Sequence, residues 1–304
     1  MSEVYYQTLS LFTMILLGCL LRRVGVLCRE DAAVISRIMV NVTLPCVIIR
    51  NLDGVVLDRE IMAAVLIGLG VNFFFFIQSI IFSKASDPDD RVVKIFSLTS
   101  FNVGSYAIPI LTPFVTAHTM AGVLAFNYTG TILFIFGVAP TVAKMAYGRD
   151  GKGTVKLLKE NLLQSVPAIA CAVMLILAML RVSLPAPVSG IVTSISGANT
   201  ILAMLGIGVL LEFKLPKADL ARDLSVLFLR LGTAVVCALG TYFLFPVSDD
   251  LKRALILVAF TPVSSCNPVL ALHCGYGGSR VAVINSMLLL ASVAIMSFLP
   301  ALLY

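Results

Sequence analysis

Two stretches decide how this chain folds: Phe101-Asn-Val-Gly-Ser-Tyr-Ala-Ile-Pro109 and Thr261-Pro-Val-Ser-Ser-Cys-Asn-Pro268. Each lies in an apolar run long enough to cross a bilayer, and each gathers Gly, Ser, Asn and Pro in the middle or second half of that run. Proline lacks a backbone donor and collides with the preceding turn, so a helix through Pro109, or through Pro262 and Pro268, is expected to kink or unwind. Unwound backbone at bilayer depth survives only where protein or a polar cavity satisfies it. Both stretches therefore mark places where regular helix gives way to something polar.

The surrounding sequence is that of a membrane protein. Of 304 residues, 59% are apolar and 12% charged, with mean hydropathy +1.02; soluble domains average about 45–50% and about 25%. Charged, Gly and Pro clusters divide the chain into ten apolar runs, near 5–21, 31–52, 60–83, 92–116, 119–143, 160–180, 187–211, 223–245, 251–274 and 279–303. At about 20 residues per span, ten helices use roughly 200 residues and leave no room for a sizeable soluble domain. The predicted fold class is all-α integral membrane. Connections after odd-numbered runs carry 15 Lys and Arg, those after even-numbered runs 5. That excess puts both termini outside a bacterial cytoplasmic membrane, with Arg149–Lys159 as the main cytoplasmic connection. The net charge of +6 thus reflects topology, and no nucleic-acid partner is expected. The first run has no basic residue before it and Arg22-Arg23 after it, the reverse of a cleavable signal peptide.

Five runs per half is an odd number, so homologous halves must be inverted relative to each other. Asn41-Val-Thr-Leu44 resembles Asn199-Thr-Ile-Leu202, Asp89-Asp90 resembles Asp249-Asp250, Pro109 matches Pro268 and Asn127 matches Asn285, at offsets of 158 to 160. The expected organisation is two inverted five-helix repeats, 1–146 and 160–304, joined by a cytoplasmic linker at 147–159, with runs four and nine broken.

Matched breaks in two inverted halves point to a transporter's binding site. Half-helices starting at the breaks would turn the positive ends of their dipoles toward one cavity, which favours an anion such as a carboxylate. The candidate lining residues are Asn102, Gly104, Ser105 and Pro109 from one break, and Ser264, Ser265, Asn267 and Pro268 from the other. Asn41, Asn127, Asn199 and Asn285 are equally compatible with interhelical packing and with lining the path. His118 and His273, with no carboxylate nearby in sequence, read as interfacial residues, and Phe73–Phe76 as lipid-facing or packing bulk. The acidic residues fall in connections or near run ends, Glu212 being the most membrane-proximal. Coupling to H+ or Na+ would therefore use carbonyls, hydroxyls and amides. Seven cysteines without a CxxC pair argue against zinc, haem or a disulfide framework. No HExxH or GxSxG motif is present, so neither an enzyme nor a cofactor is expected.

Several of these segments resemble the auxin efflux carrier family, which includes plant auxin carriers and bacterial permeases and lies in the bile, arsenite and riboflavin transporter superfamily. Ile35-Ser-Arg-Ile-Met-Val-Asn-Val-Thr-Leu-Pro45 is similar to its second span and Asn102–Pro109 to its fourth. Ala198–Glu212, with Met204, Gly206 and Gly208, is similar to its seventh. Pro262–Pro268 and Asn285–Pro300 are similar to its ninth and tenth. The resemblance implies crossover prolines at Pro109 and Pro268, Asn102 against the substrate anion, and elevator-like movement of a transport domain against a scaffold that dimerises. Ser264-Ser265-Cys266-Asn267 and the short central connection depart from plant members, pointing away from auxin toward small organic anions such as dicarboxylates. Two alternatives stay open: a sodium-coupled carrier of the bile-acid type, and a membrane receptor that binds its ligand without moving it.

Overall fold

The computed structural model describes residues 2–28, 30–84, 86–111, 114–148, 154–210 and 217–304, and every regular element among them is helical. Glu212 and residues 149–153 of the central connection lie outside the described residues, as do the side chains of Ser105 and Pro109. The helices are α1 (Ser2–Arg23), α2 (Asp31–Ile38), α3 (Leu44–Leu52), α4 (Arg59–Ser83), α5 (Pro88–Leu98), α6 (Ile108–Leu111), α7 (Ala117–Ile132), α8 (Ala139–Ala146) and α9 (Thr154–Leu163). They continue as α10 (Val166–Met179), α11 (Ala186–Ser196), α12 (Ala198–Leu210), α13 (Lys217–Leu244), α14 (Asp249–Ala259), α15 (Asn267–His273), α16 (Arg280–Met296) and α17 (Leu299–Leu303).

Among the described residues five helical stretches are long and apolar enough to cross a membrane: Asp31–Leu52, Arg59–Ser83, Ala117–Ala146, Ala186–Gly206 and Asp219–Leu244. The bent pair Lys156–Leu163 and Val166–Met179, at 78°, makes a sixth.

Among the described residues three turns widen to π geometry, at Met39–Thr43, Val103–Ala107 and Leu133–Val138. Each is followed two residues later by a proline: Pro45, Pro109 and Pro140. A proline ring collides with the carbonyl four residues back, and an inserted residue in the preceding turn moves that carbonyl aside. The chain thus accommodates these prolines by widening instead of breaking. The interruption expected at Pro109 lies further back, at Thr99–Asn102, between α5 and the π turn. The second interruption, Phe260–Cys266, separates α14 from α15.

In space the helices sort into two bundles that cut across the halves 1–146 and 160–304. One joins α1, α2 and α3 to α10, α11 and α12; the other gathers α4, α5, α7 and α8 with α13 to α16. Close backbone approach holds each together. A Cβ on Gly208 would stand 2.1 Å from the Ile15 carbonyl oxygen of α1, and one on Gly68 would stand 2.1 Å from the Phe126 carbonyl oxygen of α7. Small residues allow this approach, and dispersion over the contact replaces the hydrophobic effect that lipid cannot supply.

A charge network sits where α5, α13 and α16 begin. Arg280 donates from Nε to Asp223 Oδ1 at 2.8 Å and from Nη1 to Asp90 Oδ1 at 3.1 Å, and Lys94 Nζ lies 2.7 Å from Asp90 Oδ2. Asp223 is fully buried. Asp223 stands at a run end, as the sequence indicated, yet is buried; Arg280, 57 positions away, makes that burial tolerable.

At the other end Asp58 caps α4, accepting from the Ile61 N–H at 2.8 Å and meeting His118 Nε2 at 2.5 Å, while Glu60 accepts from the Ser248 N–H at 2.9 Å. His118 thus does have carboxylate partners, supplied by a helix start distant in sequence. The Ile61 N–H first, and His118 second, hold the Asp58 carboxyl below its ordinary pKa. Its contribution is complete above the ordinary carboxylate range and is lost as pH falls through the lowered value.

Two outcomes are expected in detergent, with unfolding read by a thiol-reactive dye on the buried cysteines. Gly68→Ala lowers stability by about 1–3 kcal/mol, whereas Gly70→Ala, where a Cβ meets open space, does not. Asp58→Asn is less stable than the parent at neutral pH, and the difference closes as pH drops below the carboxylate range.

Candidate functional site

The two interruptions meet, and each satisfies the other. Asn102 donates its backbone N–H to the Pro262 carbonyl at 2.9 Å and its side-chain Nδ2 to Ser265 Oγ at 2.9 Å. The Ser264 N–H donates to Ser100 Oγ at 3.1 Å. Asn267 Nδ2 faces back across the junction, donating to the Phe96 carbonyl at 2.5 Å and lying within reach of Ser100 Oγ at 3.1 Å and the Thr99 carbonyl at 3.3 Å. These are the carbonyls a continuing helix would have satisfied, and an amide side chain from the opposite break takes over.

Ser100 carries the strain of the turn, with φ of 82° in the left-handed region that non-glycine residues disfavour. Its carbonyl accepts from Arg230 Nη2 of α13 at 2.9 Å. Arg230 is 1% exposed, and its guanidinium lies over two rings, 4.0 Å from the centre of Phe75 and 4.8 Å from that of Phe101. Its Nε and Nη1 make no hydrogen bond among the described residues. Neither Arg230 nor Phe75 stood out as a site residue in the sequence. The legible signal was an arginine midway along an apolar run, which membrane helices carry only at a cost.

Beside this junction is a cavity of ≈ 40 Å³. The first break contributes Phe101, Asn102, Val103 and Gly104; the second contributes Ser264, Ser265 and Cys266. From α7 come Asn127, Tyr128 and Thr131, and from the other bundle Met39, Leu44, Ile48 and Asn199. The cavity thus lies between the bundles, and all three π turns border it, through Met39, through Val103 and Gly104, and through Ile135 and Phe136. No Asp or Glu is among its described lining residues. On a scale of about 10–15 Å³ per water it has room for a few solvent molecules.

Of the sequence candidates, Asn102, Gly104, Ser264, Ser265, Asn127 and Asn199 come together here. Asn127 accepts from Thr131 Oγ1 and Asn199 from Thr43 Oγ1, both at 2.9 Å. Asn267 and Pro268 are buried at the start of α15 and do not line the cavity; Asn267 instead bonds the opposite break. Asn285 is buried in α16 away from the cavity, with no hydrogen-bond partner for its Nδ2 among the described residues. Pro109 follows the π turn within α6, and nothing is described of its ring or of the Ser105 side chain. Asn41 lines a neighbouring cavity of ≈ 200 Å³ together with Arg37, Lys144, Asn161 and His273. Phe136 borders both cavities.

No protein-family model matches the sequence, and no curated protein matches it.

Arg230 gives a stability test of this geometry. Arg230→Ala, which empties the space between Phe75 and Phe101 and strips the Ser100 carbonyl of its donor, is expected to cost about 2–5 kcal/mol in denaturant unfolding. Arg230→Met fills that space and removes two unpaired buried donors, so its loss should be smaller, within about 1–2 kcal/mol of the parent.

Proposed function

We propose that this chain is a secondary transporter or facilitator that exports or imports a small organic anion by alternating access, holding it where the two interrupted helices meet. One observation carries the reading: Asn102, Gly104, Asn127, Asn199, Ser264 and Ser265, drawn from both halves of the sequence and both bundles, converge on one cavity without a carboxylate among its described lining residues. Amides, hydroxyls and first-turn N–H groups can donate to a carboxylate, and no fixed negative charge opposes it. Arg230 adds positive charge behind Phe101.

In this reading the chain crosses the membrane ten times as two inverted five-helix repeats, with α5 and α14 as the first halves of the broken crossover spans. Both termini lie outside, and the scaffold dimerises. The two bundles support an elevator-type cycle. The one that carries both breaks would move against α1 to α3 and α10 to α12, opening to either side a cavity too small to admit an organic acid as it stands. These features agree with the resemblance to the auxin efflux carrier family and favour a small carboxylate, such as a dicarboxylate, over auxin. No cofactor is required. A sodium-coupled cycle of the bile-acid-carrier type is the second reading, favoured by the two interruptions, whose carbonyls are released from helical hydrogen bonding.

The test is radiolabelled counterflow in proteoliposomes, using organic acids that first raise the thermal midpoint of the purified protein. Asn102→Ala and Ser264→Ala should each reduce exchange by about tenfold or more, the scale of a hydrogen bond to a charged group, while remaining folded. Parental exchange in both variants would refute the site, and saturable binding without exchange would identify a receptor. Flux that follows an imposed sodium gradient would select the coupled reading.

A further inference from the structure

The ≈ 200 Å³ cavity next to the central one gathers basic side chains that no carboxylate among the described residues neutralises. Arg37 reaches it from α2, Lys144 from α8 and His273 from the end of α15. Among the described residues none of the three forms an ion pair with a carboxylate: Arg37 Nε donates to the Ala33 carbonyl at 3.3 Å and Lys144 Nζ to Asn161 Oδ1 at 2.7 Å. The remaining polar lining consists of the amides of Asn41, Asn161 and Gln164 and the hydroxyl of Ser165, and no Asp or Glu is among the described lining residues. Uncompensated cations gathered in a concave site, beside neutral donors, make the site attractive to an anion.

The site has a second property. Arg37 and Asn41 belong to the bundle of α1 to α3, whereas Lys144 and His273 belong to the bundle that carries the breaks. An anion held by both sets joins the bundles. Phe136, on the π turn before Pro140, borders this cavity on one side and the central cavity on the other.

We propose that this basic cavity is a second anion site, for a small carboxylate or phosphate-type oxyanion, whose occupancy ties the two bundles in the arrangement seen here. The binding claim stands independently of transport; its consequence for flux rests on the transport reading. By linkage, an anion that prefers this arrangement stabilises it and slows any cycle that must separate the bundles.

The experiment is a thermal-shift titration of the purified full-length chain in neutral detergent with sodium succinate and with inorganic phosphate, at ionic strength held constant with sodium chloride. At least one of the two should raise the midpoint of the parent. The Arg37→Gln/Lys144→Gln double variant should need about tenfold or more anion for the same shift. Arg37→Lys/Lys144→Arg should keep most of the response, which guards against a merely misfolded double variant. Asn102→Ala, altered in the central cavity, should retain the component of the shift that the Gln double variant loses. In proteoliposomes the stabilising anion, on the side that Lys144 faces, should slow counterflow by the parent and not by the Gln double variant.

An unchanged titration in the Gln double variant would overturn the proposal. So would stabilisation by phosphatidylglycerol with none by succinate or phosphate, which would assign the cavity to a lipid headgroup. Absence of counterflow with every acid would defeat the transport reading and leave the titration to decide this site.

Discussion

Interrupting two helices inside an apolar bundle strands peptide groups that must be hydrogen-bonded, and here each interruption supplies what the other lacks. Asn267 donates back to the Phe96 carbonyl at the end of α5, while Asn102 donates forward to the Pro262 carbonyl and to Ser265. Neither break is self-sufficient. Their pairing fixes where α5 and α14 stop, holds Ser100 in a disfavoured conformation and leaves the polar edge of the junction facing a cavity. Unmade hydrogen bonds in such surroundings each cost about 1–3 kcal/mol, so the junction is rigid for the same reason that it is polar.

Much of this was legible in the sequence, because Gly, Ser, Asn and Pro inside an apolar run have few structural uses. The two stretches quoted at the outset do contain the interruptions. Their exact places were not legible. Pro109, expected at the centre of the first break, sits instead beyond a π turn that accommodates its ring, as Pro45 and Pro140 do in two other helices. Where a proline can be absorbed by widening one turn, the helix has no need to stop. The first break falls at Thr99–Asn102, where Arg230 and Asn267 wait with donors. Those partners lie well over a hundred residues away, and nothing local announces them.

The charges tell the same story. Reading most Lys and Arg as markers of loop orientation is sound arithmetic, yet it passes over Arg230, and the local sequence does not show the partners of Asp223 and His118. Arg230 is tolerated at the heart of the protein because Phe75 and Phe101 stack on it and Ser100 accepts from it. Asp223 is tolerated because Arg280 reaches it, and His118 meets Asp58. Each depends on a contact made by folding, whereas periodicity and composition report only on neighbours along the chain. The grouping into two bundles was likewise invisible from the linear division into 1–146 and 160–304, since each bundle draws helices from both halves.

The cavity between the bundles, small in this arrangement, offers a direct test of alternating access. Cys266 lines it and is 4% exposed. With the other six cysteines replaced, Cys266 can be challenged by a membrane-impermeant thiol reagent from either face of sealed, oriented vesicles. A cavity that opens alternately predicts reaction from both faces, slowed by a transported acid. Reaction from one face alone, or from neither in folded protein, would contradict a transport site between the two breaks.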